Sequence, residues 1–193
     1  MSLVMASANP KKIEEVRQIL PERIQIISLE EMEIYDDIPE TGNTLEENAL
    51  IKARFIHQSK KCNCFAEDSG LEVYSLRMEP GVYSARYAGL QKSSEDNINL
   101  LLKNLENEEN RNARFRTVLA LILDEKEYLF EGIIQGSISK SRSGLNGFGY
   151  DPVFVPDGSV ETFAQLNPEQ KNEISHRGIA VRKFIDFLKL YTG

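Results

Sequence analysis

The first 28 residues constrain the fold of this chain most, because two short apolar runs flank one amphipathic segment. The run "LVMAS" has the length of a β-strand, and "IQIIS" is a second run of the same kind. Between them, residues 10–20 place apolar side chains on one helical face, with Asn9 suited to cap the helix and Pro10 to start it. The sequence therefore predicts a β-α-β unit, which needs a sheet with a helix packed on its face.

Later segments extend this alternation of strands and helices. Thr44 and Glu47 have the spacing of a capping box in front of an apolar helical face. The runs "RFRTVLALIL" and "EYLFEGIIQGSI", separated by "DEK", predict an antiparallel hairpin. Asn167-Pro168 has the pattern of a cap and a first helical residue, and a final apolar stripe follows. We therefore expect an α/β protein with a mixed β-sheet flanked by helices and, since no linker or repeat interrupts the chain, a single domain over residues 1–193.

The composition limits the partners of the chain. Its 23 basic and 30 acidic residues leave a net charge of −7, which disfavours nonspecific attraction of nucleic acid or anionic membrane surfaces. Cys62 and Cys64 form no zinc-ligand pattern with His57 or His176, so free thiols are expected. The start lacks the pattern of a signal peptide, and no run approaches the ~20 apolar residues of a membrane span. We therefore expect a cytoplasmic protein that binds neither nucleic acid nor membrane, in which an anionic ligand would need placed cations or a metal.

The junction "SANPKK", residues 7–12, is a candidate anion site. A strand that runs straight into a helix exposes backbone N–H groups at the positive end of the helix dipole. Lys11 and Lys12 add positive charge in the first turn. These features suit a phosphate group, and the structural alternative is an ordinary helix start with two solvated lysines.

Three acidic residues are candidates for metal binding or catalysis. Glu67 and Asp68 stand side by side in "CFAEDSGLEV" at the mouth of an apolar strand, and Glu40 lies in a loop. Alternation along a strand would separate Glu67 from Asp68, whereas a turn at Ser69-Gly70 would bring both to one site. We expect that turn. A hard cation such as Mg²⁺ would relieve the repulsion and bind phosphate oxygens, and the alternative is an acid pair that faces water.

Two further segments could contact a ligand. In "SGLNGFGYDPVF" the glycines allow unusual backbone torsions around Phe148 and Tyr150, whose faces would suit stacking on a base. The alternative is a loop that these aromatic rings pin to the core. In "EQKNEISHRG", Lys171, His176 and Arg177 converge before the last helix, where a helix cap with a solvated arginine is the alternative.

Taken together and in this order, the motifs resemble one family over essentially the whole chain. The matching segments are "SANPKK", "PETGNTLEENALIKAR", "FAEDSGLEV", "PGVYSARYAG", "NGFGYDPVF" and "SHRG". They are similar to the inosine triphosphate pyrophosphatases, also described as dITP/XTP pyrophosphatases, and "YSARYAG" resembles the bacterial branch. The resemblance implies an elongated mixed sheet with flanking helices, two lobes enclosing an active-site cleft, and a homodimer. It also implies Mg²⁺-dependent hydrolysis of deaminated purine nucleoside triphosphates (ITP, dITP and XTP) to the monophosphate and pyrophosphate, which keeps them out of DNA and RNA.

The resemblance also implies roles for residues of this chain. The triphosphate-binding loop would be formed by Ser7, Ala8, Asn9, Pro10, Lys11 and Lys12. Glu40 and Asp68 would be the metal ligands, with Asp68 also the proton acceptor, and Ser69 would contact the substrate. The walls of the purine pocket would be formed by Phe148, Gly149, Tyr150, Asp151, Lys171, His176 and Arg177. The family's first loop usually reads Thr-Gly-Asn, so the alanine here would cost roughly 1–2 kcal/mol of strain if that position has positive φ.

Two other functions fit parts of the pattern. A nucleotide sensor without turnover would need the phosphate loop and the base pocket, but it would not need both Glu40 and Asp68. An enzyme for modified pyrimidine or methylated nucleotides would share the strand-loop-helix opening. The segments "SHRG" and "NGFGYD" favour purines over that second alternative.

Overall fold

The computed structural model describes residues 1–36 and 38–191 of the chain. The strands in this part are β1 (Ser2–Met5), β2 (Gln25–Ser28), β3 (Cys64–Val73), β4 (Asn112–Leu123), β5 (Lys126–Ile138) and β6 (Phe154–Pro156). The α-helices are α1 (Pro10–Ile19), α2 (Leu45–Lys60), α3 (Ser94–Asn104), α4 (Pro168–Ile174) and α5 (His176–Tyr191). Among these described residues, no helix is long and apolar enough to span a membrane.

The strands form one sheet in the order β2-β1-β3-β4-β5-β6. β1 pairs in parallel with β2, where Ser2 lies opposite Gln25, and in parallel with β3, where Val4 lies opposite Cys64. β6 pairs antiparallel with β5. The predicted α/β class, the mixed sheet and the β-α-β opening are therefore confirmed.

The predicted hairpin is formed by β4 and β5, which are neighbours in the sheet. Asp124 and Glu125 alone connect them, with φ of 48° and 65°. Positive φ at both central residues is typical of a type I′ turn, which joins antiparallel strands. The segment "DEK" therefore contains the turn that the sequence predicts.

Local caps also follow the sequence prediction. Asn9 caps α1 with Pro10 in its first turn, and Asn167 caps α4 through a complete capping box. Thr44 Oγ1 accepts a hydrogen bond from Glu47 N at 3.1 Å, as predicted for α2. The carboxylate of Glu47, however, accepts from the backbone N–H of Asn43, one residue before the cap.

The described chain forms two compact units. Unit 1 comprises Met1–Asp68, Thr117–Gly132 and Arg177–Gly193, and unit 2 comprises Ser69–Arg116 and Ile133–His176. The core of unit 1 joins β1, α1, β2, β4 and α5 around Phe65, and the core of unit 2 joins α3, the segment before β6 and the Phe115, Phe154 and Phe163 rings. Because the chain passes repeatedly from one unit to the other, no linker marks a boundary in the sequence. The single domain over residues 1–193 stays a prediction.

The predicted turn at Ser69-Gly70 is wrong, because β3 continues without interruption from Cys64 to Val73. Gly70 has another reason to be glycine: a Cβ there would lie 2.5 Å from the carbonyl oxygen of Gly81. A glycine inside a strand often marks such a close backbone approach. The unbroken strand keeps its alternation, so Glu67 and Asp68 leave β3 on opposite faces.

Candidate active site

The start of α1 holds the predicted phosphate loop. The backbone of Asn9 is extended, and its Oδ1 accepts hydrogen bonds from Lys11 N at 3.0 Å and Lys12 N at 3.4 Å. Its own N–H donates to Ser7 Oγ at 3.2 Å. The loop is therefore organised by the asparagine cap, with Pro10 at the surface next to the capped N–H groups.

Ala8 is exposed on this loop, and it is not among the described residues that have positive φ. Alanine accommodates negative φ without steric penalty. The strain considered for the Ser7-Ala8-Asn9 sequence is therefore absent from this conformation.

A first group of buried charges, the Glu67 cluster, comprises Glu67, Lys12, Arg177 and Glu15. Glu67 Oε2 accepts from Arg177 Nε at 2.9 Å, and Lys12 Nζ lies 3.2 Å from Glu67 Oε1. Arg177 Nη1 donates to the Glu15 carboxylate. Arg177 and Glu67 are each 2% exposed. One carboxylate on β3 therefore holds a cation from α1 and a cation from α5.

The surroundings of Glu67 determine its protonation state. Burial alone would raise the pKa of this carboxyl, but the charges of Arg177 and Lys12 outweigh burial and lower the pKa to about 2. The pKa of Arg177 is raised, because the charges of Glu67 and Glu15 outweigh its own burial. Glu67 therefore stays ionised at neutral pH and is a poor proton acceptor.

A second group, the Lys52 cluster, comprises Lys52, Glu40, Asp68 and Asn48. Lys52 Nζ donates to Glu40 Oε1 at 2.8 Å and to Asp68 Oδ1 at 2.9 Å. Asn48 Nδ2 donates to the other oxygen of Asp68, Oδ2, at 3.2 Å. Burial alone would lower the pKa of Lys52, but the carboxylates of Asp68 and Glu40 outweigh it and raise that pKa. The ammonium therefore stays charged and occupies the point on which the two predicted metal ligands converge.

The sequence interpretation did not select Asn48 or Lys52 as site residues. They lie four residues apart on α2, so their side chains share one helical face. That face is buried, with Asn48 1% and Lys52 7% exposed. A polar pair on an otherwise apolar face, next to Ala49 and Ala53, is the signal that could have identified them.

In unit 2, the glycine-rich loop takes the unusual torsions that its sequence predicts. Gly147 and Gly149 have φ of 73° and 60°. A Cβ on Gly147 would lie 2.1 Å from Asp151 Oδ2, so a side chain there would collide. Asp151 Oδ2 accepts hydrogen bonds from Phe148 N at 2.7 Å and from Lys171 Nζ at 2.6 Å. The buried Asp151 therefore holds together the loop and the lysine of α4.

Aromatic rings surround this ion pair. Lys171 Nζ lies 5.0 Å from the ring centroid of Phe148 and 5.7 Å from that of Phe163, within the range of cation–π attraction. The ring of His176 stacks on Phe115 at 4.6 Å with an interplanar angle of 11°. The lysine and the histidine of the predicted base pocket are thus both placed by aromatic contacts.

The two aromatic residues of the loop differ in exposure. Phe148 is half-buried, whereas Tyr150 is 4% exposed and belongs to the core of unit 2. The hydroxyl of Tyr150 donates to the carbonyl of Ser84 at 2.9 Å. Tyr150 therefore pins the loop to the core, whereas Phe148 keeps part of its surface exposed.

The described structure brings the predicted residues together in two groups. Unit 1 contains residues 7–12, Glu40, Asp68 and Arg177, and unit 2 contains Ser69, residues 148–151, Lys171 and His176. Arg177 contacts Glu67 and Glu15, although the resemblance implies a role at the purine. Glu15 and Phe163 are contacts that sequence interpretation missed, because neither belongs to a motif.

Comparison with known proteins identifies the family. Residues 3–187 match the sequence model of the Ham1 family. The chain belongs to the Ham1 family. A relative from Flavobacterium johnsoniae, named dITP/XTP pyrophosphatase, is 53% identical over 188 residues, which are 97% of this chain and 98% of the relative.

Solved structures of Ham1 proteins share the fold of this family member. The Staphylococcus aureus Ham1 protein matches with a TM-score of 0.89 at 42% identity, covering 98% of both chains. A HAM1 protein from Coxiella burnetii matches with a TM-score of 0.90 at 37% identity, also over 98% of both chains. The recognition of a pyrophosphatase family from the sequence motifs is therefore confirmed.

Proposed function

We propose that this Ham1-family chain hydrolyses deaminated purine nucleoside triphosphates, ITP, dITP and XTP, to the nucleoside monophosphate and pyrophosphate. One observation carries the proposal: a protein named dITP/XTP pyrophosphatase is 53% identical to the chain over 97% of its length. The reaction would remove these nucleotides from the pool and keep them out of DNA and RNA. The cytoplasm, where nucleoside triphosphates are consumed, is the proposed location.

Pyrophosphatases of this family are generally metal-dependent, and we propose Mg²⁺ held by Glu40 and Asp68. Both carboxylates approach one buried ammonium within hydrogen-bond distance, so together they can stabilise a cation. In the described ranges 1–36 and 38–191, no three His, Cys, Asp or Glu side chains are grouped to hold a metal. Two carboxylates fit Mg²⁺, which commonly completes its shell with waters and substrate phosphates. When bound, the ion would neutralise charge on the phosphate oxygens.

The residues of unit 1 fit the phosphate end of such a substrate. The capped start of α1 presents N–H groups at the positive end of a helix dipole, and Lys12 adds a cation that Glu67 orients. Asp68 would accept a proton from the water that attacks the α phosphorus in line. The bond from that phosphorus to the bridging oxygen breaks, and pyrophosphate leaves. Glu67 does not fit the role of base, because its pKa of about 2 leaves it little affinity for a proton.

The residues of unit 2 fit the base end. Phe148, held by Asp151 through its backbone N–H, supplies a ring for stacking, and Gly149, Tyr150 and Ser69 would complete the contacts. Lys171 and His176 would supply donors for the 6-carbonyl of hypoxanthine or xanthine, and Arg177, which lies in unit 1, is the third donor that the resemblance implies. Adenine presents an amino donor there, and a buried donor left unpaired costs about 1–3 kcal/mol. Rejection of ATP by about one to two orders of magnitude per contact is expected.

The test is pyrophosphate release from ITP, XTP, GTP, ATP and dUTP, each with Mg²⁺ and with a chelator. The proposal expects rapid release from ITP and XTP, slow release from ATP, and loss of activity with the chelator. Equal rates on ATP and ITP would contradict the selectivity. Binding of ITP without release would favour a nucleotide sensor, and a preference for dUTP would favour a pyrimidine enzyme. The proposed homodimer is tested separately by light scattering during size-exclusion chromatography.

A further inference from the structure

Asn48 has a buried side-chain amide whose oxygen and nitrogen both form hydrogen bonds. The residue is 1% exposed and lies in the first turn and a half of α2. Its backbone N–H donates to the carbonyl of Thr44, the cap residue, at 3.1 Å, so the helix itself fixes the position of the side chain. The amide therefore has a fixed place from which it contacts two other segments.

The donor end of Asn48 contacts the proposed base. Nδ2 donates to Asp68 Oδ2 at 3.2 Å, while Lys52 Nζ donates to Asp68 Oδ1 at 2.9 Å. Two donors on the two oxygens of one carboxylate determine its rotation about the Cβ–Cγ bond. The Asn48 contact does so without adding charge next to the carboxylate.

The acceptor end contacts the loop that carries the other proposed metal ligand. Gly42 N, two residues after Glu40, donates to Asn48 Oδ1 at 2.8 Å. A Cβ on Gly42 would lie 2.8 Å from that same oxygen and 2.6 Å from the Cβ of Glu47. The glycine is therefore needed for the loop to reach the amide.

From these contacts we infer that Asn48 is a positioning residue that sets the carboxylate of Asp68 and the loop of Glu40 relative to each other. The inference rests on the proposed function, in which these two carboxylates serve one reaction. Partners behind the ligands and bases of a site commonly determine its geometry in this way. Asn48 acts through Asp68 and Gly42, and we assign it no contact with the substrate.

The test variant is Asn48→Leu, which keeps the branched arrangement of side-chain heavy atoms but removes both hydrogen bonds. With ITP as substrate, kcat is expected to fall about 10- to 100-fold, the range typical of such supporting residues. KM should stay within about three-fold, because the substrate loses no direct contact. Affinity for Mn²⁺ in the absence of nucleotide, measured by electron paramagnetic resonance, should fall by a similar factor of about 10 to 100.

The chain offers a matched control at the same position of another helix. Asn97 also lies four residues after its cap, Ser93, is 4% exposed, and accepts from a backbone N–H, that of Ala88, at 2.7 Å. Its amide donates to backbone carbonyls of Ser84 and Ala85 instead of to a carboxylate. Asn97→Leu should lower thermal stability but leave kcat and Mn²⁺ affinity close to wild type.

A second variant covers the case in which Asn48→Leu does not fold. Gly42→Ala forces the loop away from the amide and should lower kcat and Mn²⁺ affinity in the same direction. Wild-type kcat or Mn²⁺ affinity in a folded Asn48→Leu or Gly42→Ala protein would overturn the inference, as would an equal kcat loss in Asn97→Leu. If wild-type protein released no pyrophosphate, the proposed function would fail, but the Mn²⁺ titrations would still decide the role of Asn48.

Discussion

The two groups of candidate residues hold buried charge in different ways. In unit 1, side chains from helices, from β3 and from the loop of Glu40 meet in charge networks, with Lys52 between two carboxylates and Glu67 beside two cations. In unit 2, the pair of Lys171 with Asp151 lies beside aromatic rings and a loop with positive φ. The difference fits the proposed roles, in which unit 1 would position charge for chemistry and unit 2 would present a ring and donors to a base.

Asp68→Asn should have the largest effect, because it removes the proposed proton acceptor and a proposed metal ligand. The rate of pyrophosphate release from ITP is expected to fall by about 10²- to 10⁴-fold, the usual contribution of a general base. Asp186→Asn makes the same chemical change at an exposed surface pair and should leave the rate unchanged. Near wild-type turnover in Asp68→Asn would break the assignment of chemistry to unit 1.

Lys171→Met tests how far unit 2 depends on its ion pair. The variant removes the ammonium that neutralises the buried Asp151, and losing one partner of a buried pair typically costs about 3–5 kcal/mol of unfolding free energy. Chemical denaturation measures the loss. Lys189→Met at an exposed pair should change stability little. The double variant with Asp151→Asn should recover part of the loss, and no recovery would contradict a charge-pair origin.

Ionised Glu67 should make the stability of the protein depend on pH in acid. Its folded-state pKa of about 2 lies below its ordinary value of 4.5, so its contribution to stability is present above pH 4.5. The contribution is lost as the pH falls from about 4.5 towards 2, and it amounts to on the order of 3 kcal/mol. Glu67→Gln should therefore flatten the acid limb of a plot of unfolding free energy against pH.

The control for this pH effect is Glu127→Gln. Glu127 also pairs with an arginine, Arg54, but both side chains are well exposed, so solvent screens the pair. Its acid limb should stay close to that of the wild type. If the acid limb flattened equally in Glu67→Gln and Glu127→Gln, burial of the ion pair would not be the cause of the acid sensitivity.

Phe148→Leu tests whether the ring acts in binding and not in the chemical step. Its expected effect is the smallest of these predictions. Loss of a stacked ring typically costs about 1–3 kcal/mol, so KM for ITP should rise about five- to one hundred-fold while kcat changes little. Phe187→Leu removes a half-buried ring in unit 1, where it packs on Tyr128, and should affect stability alone. A change in kcat without a change in KM for Phe148→Leu would assign this ring to the chemistry instead.

Sequence patterns predicted the elements of the fold well and the site contacts less well. The caps at Asn9 and Asn167 were predicted because a cap is made by hydrogen bonds within three residues. The turn at Ser69-Gly70 was wrong because the reason for Gly70 lies outside its own segment, in the backbone of Gly81. Local chemistry predicts local structure, and a glycine is ambiguous when its neighbour in space is unknown.

The candidate site shows the same difference between features of one segment and contacts between distant segments. Glu67 and Asp68 were selected as candidate functional residues from their unusual place on an apolar strand, and the motifs around them indicated the family. Their different partners were not predictable, because other elements bring Lys52, Asn48 and Arg177 to the strand.

By itself, the sequence determined the α/β class, the β-α-β opening, the helix caps and the family, since periodicity and motifs are properties of short segments. Tertiary structure alone decided which cation each acid meets. The Arg177–Glu67 pair joins residues 110 positions apart, and the opposite faces of β3 send Glu67 to one cluster and Asp68 to another. The physical reason is that charge pairing depends on distance in space and on burial, and neither can be read from the order of residues.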